Sequence, residues 1–206
     1  TVNIVGGFII TSKMLDMFKR PDDPPEYYNY SLYPTAGALG LYGIGTMSGK
    51  FPEIDNAAST LASLLCIGGI GGLASQSTAR LGAVSGQAGV ALGVASTFGH
   101  LHPSFATTAS LVGLMGLGAV AGQQIAQRVE LTSLPQTVAA FHSLVGVAAS
   151  AAAIGDYINS DISALDGVHM SSIYLATVIG SVTTTGSLVA VATLDGRLDS
   201  PPPHTK

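Results

Sequence analysis

Stretches free of Lys, Arg, Asp and Glu alternate with short charged connections, and this alternation sets the architecture. The first stretch runs from Thr1 to Ser12, with an amphipathic continuation to Met17. Tyr27–Gly49 and Asn56–Ala79 follow. Leu81–Gln127 is long enough for two helices, and Pro103 divides it, because the residue before a proline is driven out of helical geometry. Leu131–Gly155 and Gly167–Leu194 complete the set. A bilayer core takes about 20 apolar residues per helix and few charges. The pattern therefore predicts an all-α integral membrane bundle of about seven transmembrane helices, forming one domain over 1–206. The predicted helices are 1–18, 31–49, 57–78, 81–99, 105–127, 134–154 and 170–193. Residues 19–30, rich in proline and mixed charge, read as an aqueous linker, and 195–206 as a tail.

Composition agrees. Charged residues make up 10% of the chain and hydrophobic residues 47%, against about 25% charged in an average soluble domain. Too few ionisable groups remain for an ordinary water-facing shell, and the apolar content excludes a disordered chain. Cys66 stands alone, so a disulfide scaffold is excluded. A net charge of −4 without a basic run argues against nucleic acid as a partner.

The helix count has an internal check. With seven spans, Lys13, Lys19, Arg20, Arg80, Arg128, Arg197 and Lys206 fall on one side, leaving only Lys50 of the eight basic residues on the other. That is the asymmetry of cytoplasmic or matrix loops over external ones. Omitting the second segment mixes the two groups.

Glycines spaced by four (Gly68/Gly72, Gly82/Gly86, Gly89/Gly93 and Gly118/Gly122) predict close backbone approach between helices. Gln87, Gln123 and Gln124 are expected to bond between helices, and Cys66 to be a packed thiol. Gly68–Gly72 lies mid-span, without the strand and helix that a nucleotide fingerprint requires. His100 and His102 lack a third metal ligand and read as interfacial loop residues, and Asp156, Asp161 and Asp166 as solvated loop. His142 differs, because the nearest charged residues in sequence are Glu130 and Asp156. An ionisable group at that depth costs a few kcal/mol unless it is paired or faces water, and imidazole titrates near neutral pH. It is either a proton carrier or a neutral ring bonded to a neighbour. Ser181, Thr183, Thr184, Thr185 and Ser187 are either bonded to their own helix or able to hold a short water chain.

Residues 127–146, Gln-Arg-Val-Glu-Leu-Thr-Ser-Leu-Pro-Gln-Thr-Val-Ala-Ala-Phe-His-Ser-Leu-Val-Gly, closely resemble the membrane domain of proton-translocating NAD(P) transhydrogenase. Val-Asn-Ile-Val-Gly-Gly-Phe (2–8), Met-Leu-Asp-Met-Phe-Lys-Arg-Pro (14–21), Asp-Pro-Pro-Glu-Tyr (23–27), Thr-Ala-Arg-Leu-Gly (78–82) and Thr-Gly-Ser-Leu-Val-Ala (185–190) agree with it. The continuous linker resembles the fused, mitochondrial form, which implies the mitochondrial inner membrane with the C-terminal tail on the matrix side.

The resemblance implies that His142 and Ser187 belong to a proton path. It also implies that hydride passes from NADH to NADP in two soluble domains, with proton movement coupled to it by conformational change. Those domains, the family's Gly-Gly-Ala-Asp loop and its Asn-bearing helix do not occur in these 206 residues. The chain is therefore expected to bind no cofactor itself, with NAD and NADP held by partner domains, and to lack activity in isolation. Lipids and other membrane subunits are the implied partners. Two roles follow: part of a split transhydrogenase, or an inactive structural accessory subunit of a mitochondrial respiratory complex.

Overall fold

The computed structural model describes residues 1–19, 32–161 and 165–198. Seven α-helices occur among them: α1 (Val2–Met17), α2 (Leu32–Ser48), α3 (Ile54–Leu73), α4 (Ala79–Leu101), α5 (Phe105–Arg128), α6 (Leu134–Asn159) and α7 (Gly167–Leu194). A 3₁₀ turn, Leu131–Ser133, leads into α6. The five stretches Ile54–Leu73, Ala79–Leu101, Phe105–Arg128, Leu131–Asn159 and Gly167–Leu194 are long and apolar enough to cross a membrane. At 16 and 17 residues, α1 and α2 are shorter than a full span. The expected linker at 19–30 and most of the expected tail lie outside the described residues.

Local chemistry sets the helix ends. The α3 helix stops at Leu73, short of the expected 78, because Thr78 Oγ donates to the Gly72 carbonyl at 2.7 Å and closes the turn. His102 takes φ 40° at the end of α4, and its N–H caps the Phe98 carbonyl. Ser104 Oγ accepts from the Thr107 N–H at 3.2 Å to start α5. Pro135 occupies the first turn of α6, where no intrahelical donor is lost. Asp166 caps α7 by accepting from the His169 N–H at 2.7 Å.

The chain divides into two compact units, Thr1–Ile10 with Met115–Lys206, and Thr11–Leu114. In the second, α3 and α4 lie along each other. A Cβ on Gly82 would sit 2.6 Å from the Gly69 carbonyl oxygen and 2.7 Å from the Leu73 nitrogen, so only glycine allows that approach. The pairing face on α3 is Gly69/Gly72; Gly68 faces open space. Spacing by four selected the wrong member, because three and four residues both return to one helix face. Half-buried Cys66 lies with its Sγ against Gly89, as expected of a packed thiol. Ala58, Ala62 and Leu92 form the core of this unit, with Tyr42 and Leu65 against it. Tyr42 Oη donates to Asp55 at 2.6 Å and fastens α2 to the start of α3.

In the first unit, Ile10, Ala126, Leu134 and Phe141 form the core, flanked by Val2, Ile9, Val129 and Val138. Gly6 lies beneath the Phe141 ring, and Gly118 and Gly122 face Thr1 and Val2. Large apolar side chains such as Leu117, Val120, Val178, Val182 and Leu188 point outward. In water such a surface would aggregate; on spanning helices it suits contact with lipid or with neighbouring helices.

Candidate functional site

The hairpin of α6 and α7 carries both residues singled out by the sequence. Its two helices meet along small and hydroxyl residues. Thr184 Oγ reaches the Ser143 carbonyl at 3.5 Å, Ser150 Oγ the Thr177 carbonyl at 3.2 Å, and Gln136 Nε2 the Leu194 carbonyl at 2.9 Å. Between the first two, Gly146 and Gly180 touch backbone to backbone: a Cβ on Gly146 would lie 2.5 Å from the Gly180 oxygen and 2.7 Å from the Thr184 nitrogen. The seam has no room for water there.

Its hydroxyls are already engaged. Ser143 Oγ donates to the Ala140 carbonyl at 2.7 Å, Ser181 Oγ to Thr177 at 2.7 Å, Thr184 Oγ to Gly180 at 2.8 Å and Thr185 Oγ to Ser181 at 3.0 Å. Ser181, Thr184 and Thr185 thus donate to carbonyls of their own helix.

His142 lies about 12 Å along α6 from its first residue, at 1.5 Å per residue. Its ring is exposed, and Nδ1 sits 2.8 Å from the Val138 carbonyl oxygen. Phe141, on one side of it in sequence, packs into the core with α1 and α5; Ser143, on the other, is buried beside α7. His142 is thus placed between two covered faces of α6, with its ring uncovered.

Ser187 is half-buried. It continues the α6-facing stripe of Gly180 and Thr184 by one turn. The Ser143–Thr184 and Ser150–Thr177 pairs fix an antiparallel register that sets Ser187 level with Ala140, about 3 Å along the axis from His142. The structure therefore brings the two residues to one level of the hairpin. No hydrogen bond joins them among the described residues.

Sequence reasoning missed His169. Its Nε2 lies 2.8 Å from Asp156 Oδ2, across the α6–α7 connection, and Ser160 Oγ donates to Asp156 Oδ1 at 3.2 Å. Asp156 and Asp166, expected to be loop carboxylates, thus fasten α6 to α7 and cap α7. Asp166 immediately before the helix was itself a capping signal; the Asp156 pairing, across a loop, carried none. Gln124 also departs from expectation, its amide oxygen accepting from Arg128 at 3.4 Å within α5 rather than between helices. His100 lies in the last turn of α4 rather than in the loop expected of it, and His102 caps the helix. Beside the hairpin's outer end, Ile154, Tyr157, Met170, Ile173, Tyr174, Thr177 and Val178 line an open apolar groove of about 270 Å³.

A family model for the NAD(P) transhydrogenase beta subunit matches residues 55–206. The protein named NAD(P) transhydrogenase subunit beta in Rhodospirillum rubrum is 36% identical over 152 residues, covering 71% of this chain and 32% of that protein. The protein of the same name from a defined strain of that species gives the same values. The chain spans about a third of the length of these relatives. The matched stretch begins at Asp55, in the first turn of α3, and contains α4 to α7 with His142 and Ser187. Family match and helical membrane architecture agree, and the chain belongs to the NAD(P) transhydrogenase beta subunit family.

Proposed function

We propose that this chain supplies part of the proton path of a proton-translocating NAD(P) transhydrogenase divided among several polypeptides. His142 would carry the proton and Ser187 would line the path at the same level. The observation that supports this reading is the exposed imidazole partway along a spanning helix, level with Ser187. An ionisable side chain at that depth is costly unless it is used or covered. NAD and NADP would be bound by partner polypeptides, and hydride transfer between them would drive proton movement through conformational change. The basic-side asymmetry and the linker's resemblance to the fused form favour the mitochondrial inner membrane, with the tail in the matrix.

A second reading has its own support. Gly68 and Gly71 on α3, and Gly113 and Gly116 on α5, have open space where a side chain would stand. Outward glycines of this kind suit lateral packing against foreign helices, as in an inactive accessory subunit of a respiratory complex.

Purification of the tagged chain in mild detergent, with mass spectrometry of its companions, separates the two. Polypeptides with NAD- and NADP-binding domains, and loss of coupled proton transport in His142→Ala, are expected for the divided transhydrogenase. Respiratory subunits without those domains, with electron transfer unchanged by His142→Ala, would replace it with the accessory role.

A further inference from the structure

We propose that His142 is a single-nitrogen proton carrier, oriented by the main-chain carbonyl of Val138. This rests on the proton-path reading above and specifies which atom does the work.

A carbonyl oxygen has no hydrogen to give, so a 2.8 Å contact between it and Nδ1 requires the hydrogen on Nδ1. The neutral ring is then the Nδ1–H tautomer, and Nε2 holds the lone pair. Val138 lies one turn before His142 on the same face of α6 and packs against the Ile10–Phe141 core, so its carbonyl is anchored. Behind the ring, Gly146 and Gly180 close the seam, and Ser143 and Thr184 spend their hydroxyls on Ala140 and Gly180. Nε2 is therefore the nitrogen left for exchange, on the uncovered side of the ring.

The consequence concerns the route of the proton. An imidazole that conducts takes a proton at one nitrogen and releases the other nitrogen's proton. Here Nδ1–H points at an amide carbonyl, which is too weak a base to accept it. A proton arriving at Nε2 gives the imidazolium, with both nitrogens protonated and the Nδ1–H bond to Val138 intact. The same proton must leave from Nε2. His142 thus loads and unloads through one atom, and net transport requires that the surroundings of Nε2 change between the two events. Motion of α6, or of a helix covering its exposed side, supplies the direction; a fixed wire through the ring does not. Val138 is a positioning residue in this scheme, acting through its main chain.

The test is ¹⁵N NMR of histidine-labelled chain in its native complex in lipid, with the His142→Ala spectrum used to assign the ring. The expected neutral ring is protonated at Nδ1 and bare at Nε2, and acidification adds the proton at Nε2. A neutral ring protonated at Nε2, or one averaging between tautomers, overturns the single-nitrogen carrier. If His142→Ala in the same preparation still abolishes coupled transport, the proton-path reading survives that loss. Coupled transport that persists in His142→Ala overturns both.

Discussion

Gly146→Ala is the sharpest probe of the α6–α7 seam. The added methyl would lie 2.5 Å from both the Gly180 carbonyl oxygen and the Thr184 hydroxyl. Ordinary contact begins near 3.4 Å, so the helices must part locally by about 0.9 Å. A gap of 0.5–1 Å forfeits roughly a quarter to a half of the dispersion energy of the atoms on either side. Overpacking of this kind costs about 1–3 kcal/mol, and each kcal/mol lowers the melting temperature of a chain this size by roughly 2–4 °C. The assay is thermal unfolding of the complex in mild detergent, with Gly186→Ala as the control. Gly186 lies in α7 with nothing within 4 Å of the new methyl, so its substitution is neutral or stabilising by up to about 1 kcal/mol. His142 sits one turn from Gly146, and if the proposed proton path holds, parting of the seam would also lower coupled proton transport. Equal melting temperatures for the two variants would refute the close-approach argument.

Other consequences are smaller in scope. Tyr42→Phe removes the hydrogen bond to the Asp55 carboxylate and should cost about 1.5–3 kcal/mol, read as increased protease cleavage around α2; unchanged cleavage would mean that α2 is held by packing alone. Ile10→Ala empties a side chain only 2% exposed in the α1–α5–α6 core and should cost about 2–5 kcal/mol, read as a fall in thermal stability larger than that of Leu117→Ala, whose side chain is exposed. Asp156→Asn should loosen the hairpin's outer end slightly, and the difference from the parent should shrink in high salt, because the pair with His169 is half-exposed. A salt-independent difference would contradict an electrostatic clasp.

What was legible in the sequence follows from the solvent. A bilayer penalises every charge along a span, so gaps between charged residues mark helices with little help from periodicity. Pro103 and Pro135 then place boundaries within a few residues. The side on which each helix meets its neighbour was much less legible. Gly68 and Gly69 are adjacent and chemically identical, yet only Gly69 touches α4, a matter of rotation about the helix axis that composition does not encode. The Gly146–Gly180 contact needs the register of two helices joined across a loop, and no pattern within either helix predicts it. His142 stood out because it breaks an apolar run, whereas His169 lies among other polar residues and its partner is thirteen residues away.

The closed seam and the open histidine are two halves of one design. Ser and Gly let α6 and α7 approach until their backbones touch, and the hydroxyls of Ser143, Ser150 and Thr184 are bonded to nearby carbonyls. Such a seam leaves no space between the helices for water or for a larger side chain. On the proton-path proposal, conformational change would act at faces other than this seam. The ring of His142 lies on such a face, and the bond to Val138 turns with α6 as the helix turns. A rotation or shift of the hairpin therefore carries Nε2 with it. In the divided transhydrogenase proposed here, a closely packed hairpin bearing an oriented imidazole would convert motion begun in distant nucleotide domains into a change of what one nitrogen faces.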